Sequence, residues 1–442
     1  MDKINPFSDF LQQSVPPILV GRDQIIRTLF RDLGNKQLRA YEIAVASHVG
    51  SSALLQFLAH KERLFSQKKG ILPKNLNADN YCPIYLDGAN ADEEVPIANW
   101  LLEEALESPI IQKFSQGLGL KFGDKPIRDL THLLRKSRKE GGLIIFLIDR
   151  FDDRFSAMAT DESIPLRGLS NYTSFIITSK KPLAKLNQTA YASWFGSITH
   201  RLDLEPISSQ EKRTLISYCL NQIPKMSSRD LQMLTSKYSA GSEIAGMHPL
   251  FILSACSELM QLKGNLSGID EHILEGVLKD RLAAMFQSHF SHYLRHLDDD
   301  ERESLANLVF NQVNPKDYSR LIDLQRAGLL IKKESLGTDQ FAPFSTLFQN
   351  YLEIECSAGS ETIIIKGDYS PLHRQILKLF IQTPNQVITY AELIKKIWQK
   401  ENVTDKNLRL LRETIRNLKK SMNGKMDGEI LNHRKVGYEL RI

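Results

Sequence analysis

The chain has 442 residues, 57 Lys and Arg against 52 Asp and Glu for a net charge of +5, and 42% hydrophobic and 25% charged residues. That length exceeds what one hydrophobic core supports and predicts about two to four domains, with the composition of a soluble globular protein. The longest apolar run, Leu143–Ile148, is too short to cross a bilayer, and the first residues lack the basic start and apolar stretch of a secretory signal.

Cys82, Cys219, Cys256 and Cys356 are scattered without CxxC or Cys/His spacing. This argues against a zinc site or disulfide framework and fits a reducing cytoplasm. No repeat of fixed period is present.

Residues 1–265 alternate short apolar runs with amphipathic stretches, the pattern of an α/β layer fold. Strands are expected at Tyr41–Ala46, Pro83–Asp87, Leu143–Asp149, Ser174–Thr178 and Ile198–Leu204. Pro17 to Asp23 precedes an amphipathic helix carrying Ile25, Ile26, Leu29, Phe30 and Leu33. After the first strand, Ser47-His48-Val49-Gly50-Ser51-Ser52 leads into a helix at Ala53–Leu58. Strand, small-residue loop and helix form a phosphate-binding geometry, in which loop N–H groups and the helix N-terminus hold phosphate oxygens. Against the active pattern GxxxxGK[ST], Val45 replaces the first Gly, Gly50 keeps the second, Ser51 replaces the Lys and Ser52 keeps the hydroxyl. The charge that Lys places on the β/γ-phosphates is missing. Alone, the loop fits a plain strand–turn–helix better.

Leu143–Asp149 reads as a buried strand ending in an acid suited to Mg²⁺, followed by Arg150 where a water-polarising Glu is common; Asp152 and Asp153 come next. Ser174–Thr178 followed by Ser179-Lys180-Lys181 suits a strand with a polar end, and Gly246-Met247-His248-Pro249-Leu250 opens a helix. In this order the elements resemble the STAND and archaeal-type branch of the AAA+-related ATPases, over about residues 17–355. The resemblance implies a P-loop NTPase-like α/β core with a helical lid, nucleotide (ATP or ADP with Mg²⁺) between them, and a winged helix after the lid. That winged helix is drawn from Asp298–Phe310, Tyr318–Gly328, a Leu329–Lys333 strand and Phe341–Leu352. It marks Gly50, Ser51, Ser52 and Asp149 as nucleotide or Mg²⁺ positions and His248 and Pro249 as the lid contact. Ser51 and Arg150 depart from the pattern, which implies a frame that does not hydrolyse.

His289, His292 and His296 share a helical face that zinc could use, but with no HExxH motif they read as solvated or partner-facing groups. Asp298 to Glu301 reads as a helix N-terminus favoured by the macrodipole. Trp100, Trp194 and Trp398 read as core anchors, and no GxSxG nucleophile motif occurs.

A linker is expected near Ala358-Gly359-Ser360, then a strand at Thr362–Lys366. Ser370-Pro371 starts a helix bearing Leu372, Ile376, Leu379 and Phe380, and Thr383-Pro384-Asn385 stops it. Val387-Ile388-Thr389 leads to a second helix with Leu393, Ile394, Ile397 and Trp398. A third, capped near Thr404-Asp405, carries Leu408, Leu411, Ile415 and Leu418 on one face and Arg409, Arg412, Arg416, Lys419 and Lys420 on the other. Two strands, Glu429–His433 and Val436–Ile442, flank a basic tip at Arg434-Lys435. From Lys366 to Ile442 there are 16 Lys and Arg against 8 Asp and Glu, whereas the preceding 365 residues hold 41 against 44. A cationic concentration of this kind suits phosphate-backbone binding, which releases condensed counterions.

These residues resemble the OmpR/PhoB-type winged helix: a leucine-rich helix, a Pro384-Asn385 turn, a helix ending in Trp398, a long basic helix, an Arg434-tipped wing and Gly437-Tyr438. The resemblance implies that Arg409, Arg412 and Arg416 enter the major groove of duplex DNA and that Arg434 grips the backbone or minor groove. Lys419, Lys420 and Lys435 add charge to the same surface.

The expected architecture is a degenerate P-loop core with a helical lid at 1–265, a central winged helix at 266–357 and a DNA-binding winged helix at 358–442. The expected function is a cytoplasmic, membrane-free DNA-binding regulator. Its first module senses or recruits a partner, either another protein or a second copy of itself. Two other functions stay open: an NTP-dependent assembly factor on DNA, and a scaffold whose winged helices bind proteins.

Overall fold

The computed structural model describes residues 5–364 apart from 93, 117, 119–124, 197–198, 225–226, 266–270, 311 and 336–337, and then 376, 379–380, 386–398, 404–422, 429–433 and 436–441. The chain divides into two compact units, Met1–Tyr351 and Leu352–Ile442.

In the first unit, Leu143–Asp149 has no polar alternation, so both its faces must be covered. It forms β3 of a five-stranded sheet with β1 (Ala40–Ala44), β2 (Tyr81–Asp87), β4 (Ser174–Ser179) and β5 (Thr199–Arg201), in the order β2-β3-β4-β1-β5. Every pairing is parallel, with Ile84 opposite Phe146 and Tyr41 opposite Ile176. Parallel strands need crossover helices, and those helices explain the near-continuous apolar strands. On one face Phe146 stacks on Phe175 at 5.5 Å, and Trp194 meets Phe175 edge-on at 5.4 Å. Trp100 and Trp194, at 6% and 0% exposure, anchor this core.

All five strands point the same way, so the loops after β1, β3 and β4 gather at one edge. Chain order reverses between β1 and β4, and open parallel sheets bind ligands at such a switch point.

Helices Ser209–Leu220, Ser228–Gly241 and Pro249–Asn265 follow, the first opened by a reciprocal Ser208–Glu211 capping box. A long helix, Glu271–His296, then leads to Asp299–Val309, whose cap is the Asp298–Glu301 box foreseen from the acidic run. Helix Tyr318–Arg326 and the antiparallel hairpin of β6 (Leu330–Ser335) and β7 (Thr338–Pro343) complete the unit. Phe251 of helix Pro249–Asn265 stacks on Phe344 at 5.6 Å and meets Phe286 at 4.4 Å, so that helix, helix Glu271–His296 and the segment after β7 share one aromatic core.

Within Phe341–Leu352 a strand ends at Pro343 and helix Thr346–Ile364 begins three residues later. Two expectations are corrected here: that helix runs through the expected linker at Ala358-Gly359-Ser360 and the first residues of the expected Thr362–Lys366 strand; 365 and 366 lie outside the described residues. A helix already nucleated adds one hydrogen bond per residue fixed, and Glu353–Ile364 contains no proline to stop it.

In the second unit β8 (Val387–Thr389), β9 (Glu429–His433) and β10 (Gly437–Arg441) form an antiparallel sheet in the order β8-β10-β9. Helices Tyr390–Trp398 and Asp405–Met422 pack around Ile376, Phe380, Leu393, Leu411, Ile415 and Leu418. Gly437 is required by contact and not by backbone freedom, because an added Cβ would collide with the Ile388 carbonyl of β8. The expected helix start at Ser370-Pro371, Leu372 and the stop at Thr383-Pro384-Asn385 lie outside the described residues.

Leu411 is fully buried at the centre of the second core. Leu411→Ala is expected to destabilise this unit by about 2–5 kcal/mol, read as faster amide exchange across Asp405–Met422.

Candidate functional site

The loop after β1 turns sharply twice, with His48 at φ 69° and Gly50 at φ 106°, both left-handed. An added Cβ at Gly50 would find only Arg22 Nη2 at 3.8 Å and Pro249 Cγ at 4.0 Å, so the backbone angle and not crowding demands glycine there. The loop's polar groups are tied on three sides. Ala46 N–H donates to the Ala327 carbonyl at 2.8 Å, Tyr293 O–H to the Ser47 carbonyl at 2.8 Å, and Arg22 Nη2 to the Val49 carbonyl at 2.9 Å. The other arm of Arg22 donates to the Glu205 carbonyl, and burial pushes its pKa down to about 10. Helix Ser51–Ala59 starts directly from this loop with no side-chain cap, which leaves its first N–H groups for another acceptor.

Below the loop lies a cleft of about 680 Å³ whose wall includes Ser51, Ser52, Asp149, Arg150, Lys180 and His289. Asp149, 1% exposed, accepts from Thr178 Oγ1 on one oxygen and from Tyr85 O–H on the other at 3.0 Å. The phenol's pKa is raised by burial and then by the Asp149 charge. Arg150 is left-handed at φ 52°, and its guanidinium makes a two-pronged ion pair with Asp87, Nε to Oδ1 at 2.9 Å. Asp152 accepts from the Lys180 N–H at 2.7 Å, and burial raises its pKa.

The far wall comes from helix Glu271–His296. His289 meets His48 edge-on at 4.3 Å, His292 and His296 face each other through Nε2 atoms 3.1 Å apart, and Arg295 stands at the rim. Burial, and then the neighbouring His289 and His292, lower the His48 pKa to about 4. Burial followed by Lys180 lowers His296 to about 4. These imidazoles are therefore neutral near pH 7. His289 and His292, half-buried, line the cleft. Among the described residues no three His, Cys, Asp or Glu side chains form a metal set.

The structure thus brings Ser51, Ser52 and Asp149 to one cleft, with Gly50 at the turn above them. His248 and Pro249 do not line it. His248 is fully buried, with Nε2 2.8 Å from the Gly328 carbonyl and its ring stacked on Phe344 at 3.9 Å and 9°. Burial lowers its pKa to about 3, so the neutral ring donates from Nε2. His248 sits as a packing joint between the lid and the β6–β7 hairpin. Sequence reading missed His48, Arg22, Tyr85, Thr178 and Arg295, whose roles arise from crossings between elements far apart in the chain.

In the second unit, Arg409, Arg412 and Arg416 are exposed on the face of helix Asp405–Met422 opposite buried Leu411, Ile415 and Leu418, and Lys419 is half-buried. Among the described residues none of the three arginines is paired with a carboxylate. Arg412 lies over the Tyr390 ring at 5.9 Å. Lys420 lies on the helix with its side chain outside the described residues, as do Arg434 and Lys435 entirely.

Residues 366–440 match the family model described as "Transcriptional regulatory protein, C terminal", and this stretch is a winged helix of the OmpR/PhoB type. No curated protein matches the chain. Among solved structures the chain is similar to the ORC2 protein of Aeropyrum pernix in its ADP form, at 14% identity over 78% of this chain and 97% of that one, TM-score 0.46. It is also similar to the ORC1 protein of the same organism in complex with DNA, at 12% identity over 79% and 96%, TM-score 0.36. A STAND protein with a tetratricopeptide-repeat sensor from Pyrococcus horikoshii gives 14% identity over 93% of this chain and 55% of that one, TM-score 0.28. No described helix is long and apolar enough to cross a membrane.

His48 in the cleft and His296 beside it make stability pH-dependent. Above pH 6.5 both folded and unfolded chains hold them neutral. Between 6.5 and about 4 the unfolded chain takes up protons that folded His48 and His296 refuse. The urea midpoint is expected to fall between pH ~7.5 and ~5, and His48→Asn, which tolerates the left-handed turn, to shrink that fall.

Proposed function

We propose that this protein is a DNA-binding transcriptional regulator in which a C-terminal winged helix grips duplex DNA and a degenerate P-loop module serves as the sensing or recruiting part. Its modules are read as a core with a lid at 1–265, a central winged helix at 266–357 and the DNA reader at 358–442. The observation that carries the reading is the helix Asp405–Met422: one side is buried in the domain core, and the other offers Arg409, Arg412 and Arg416 with no acidic partner among the described residues. A helix seated in the major groove needs such a division, because guanidinium groups must reach phosphates and guanine edges while the reverse face docks. The match of residues 366–440 to a transcriptional-regulator domain supports the same reading.

The first module is proposed not to hydrolyse nucleotide. The donor set suits a phosphate group: the uncapped amides and hydroxyls of Ser51 and Ser52, with Lys180 and Arg295 across the cleft. It does not suit turnover. The position of the phosphate-neutralising lysine is Ser51, and the position next to Asp149 is an arginine committed to Asp87. Each Asp149 oxygen already accepts a hydrogen bond. ATP or ADP, if held, is therefore read as a bound ligand and not a substrate.

With the full chain, duplex affinity is expected to fall steeply as salt rises, and Arg416→Ala to cost roughly 1–3 kcal/mol of binding if it reads a base. Salt-independent binding, or none in dilute buffer, would remove the regulator reading. Steady-state ATP turnover by the same preparation is expected to be absent; hydrolysis that disappears in Asp149→Ala would overturn the non-hydrolysing assignment.

A further inference from the structure

A second cavity lies away from the β1 loop and shares no wall residue with that cleft. It has a volume of about 370 Å³ and lies where helix Ser209–Leu220 and Gly246-Met247 meet the β6–β7 hairpin at Ile331 and Ala342–Phe344. Lys212 lines it. This side chain is 3% exposed, yet it makes no hydrogen bond and no ion pair among the described residues. Glu243, on the rim, reaches it only through its field, while burial lowers the Lys212 pKa. Its Nζ keeps some contact with solvent, and because Lys212 lines the cavity that contact can be exchanged for an anionic acceptor.

The surroundings of Lys212 are those of an anion. Ser209 is the first residue of a 12-residue helix and Thr346 the first of a 19-residue helix, and both line the cavity. Two helix N-termini therefore bring partial positive charge to one space; the Ser208–Glu211 box takes the Glu211 N–H of the first and leaves the Ser209 amide outside that cap. Phe348 N–H is already taken by Ser345 Oγ and Gln349 N–H by the Ser345 carbonyl. The first amides of that helix are not bonded by these caps. Arg213 adds a second cation at the rim, against the single acid Glu243. The Ser239 and Ser345 hydroxyls complete a ring of donors.

We propose that this cavity is a binding site for a small phosphate-bearing ligand, with Lys212 and the two helix N-termini holding the phosphoryl oxygens and Arg213 closing the rim. Donors converging from several directions match a tetrahedral group with several acceptors better than a planar carboxylate. At about 30 Å³ per water the cavity has room for roughly a dozen, more than a bare phosphate ion needs, which leaves space for a small organic part. The ligand would bridge the lid and the hairpin, two elements whose direct contact here is as close as the Gly246 backbone against the Phe344 carbonyl. This site supplies a chemical identity for what the first module senses, but it stands on the cavity alone: failure of DNA binding would leave it intact.

The test is equilibrium dialysis of the full chain against inorganic phosphate and, separately, glycerol 3-phosphate, with Lys212→Met and Arg213→Glu beside the wild type. The wild type is expected to bind one equivalent of at least one probe, and Lys212→Met to weaken it about tenfold or more, the loss of one charge-assisted hydrogen bond. Phosphate is expected to raise the unfolding midpoint of the wild type, and Lys212→Met to abolish that rise. If Lys212→Met does not fold, the exposed Arg213→Glu substitution carries the test by the same loss of affinity. Affinity unchanged in the charge variants, or no bound equivalent of either probe at about 10 mM, would overturn the proposal.

Discussion

The constraint on which the first unit depends is the satisfaction of a few peptide groups between β1 and the helix it feeds. A left-handed loop at the edge of a parallel sheet exposes N–H and C=O groups that no strand can pair. Here Ala327, Tyr293 and Arg22 take up Ala46, Ser47 and Val49, and they come from three separate parts of the chain. The same bonds therefore fix the loop and dock helix Glu271–His296 and the turn after Tyr318–Arg326 on the sheet. An arrangement of this kind makes the loop a joint as much as a cradle. The side chains beneath it follow suit: Asp149 is bound by Thr178 and Tyr85, and Arg150 by Asp87.

Two helices that each precede a β-hairpin divide their charges in opposite ways. On helix Tyr318–Arg326 and its approach, Lys316 pairs with Glu303, Arg320 with Asp300 and Arg326 with Asp203, while Tyr318 and Ile322 are exposed. On helix Asp405–Met422 the arginines at 409, 412 and 416 have no such partners among the described residues. Cations already neutralised by local carboxylates have little left to offer a polyanion, whereas unpaired ones gain from every counterion released. This contrast is why the DNA-binding role is assigned to the C-terminal helix and not to the central one.

Elements whose signal is local were legible in the sequence. β3 falls at Leu143–Asp149 as read, because a strand buried on both faces has to be continuously apolar. The Asp298–Glu301 cap and the apolar stripe of the basic helix were equally plain, and so was the C-terminal winged helix to which the basic helix belongs. What depended on distant partners was hidden. Nothing in the residues around His48 announces a left-handed turn beneath His289. Helix Thr346–Ile364 overrode a polar stretch that looked like a linker. His248 was placed by resemblance beside a nucleotide, but the aromatic rings of Phe251 and Phe344 draw it into the core. Lys212 sits in an ordinary amphipathic helix, and only the packing of the hairpin against it reveals a lysine 3% exposed with no carboxylate paired to it among the described residues.

The most direct measurement is ATP turnover by Ser51→Lys, which returns the one missing charge to the loop. If the cleft is committed to structure, the restored lysine leaves hydrolysis absent, because Arg150 stays on Asp87 and Asp149 stays bound by its two hydroxyl donors. ATP turnover in Ser51→Lys that is lost again on adding Asp149→Asn would contradict this account, since a single side chain would then be all that separates this frame from a working ATPase.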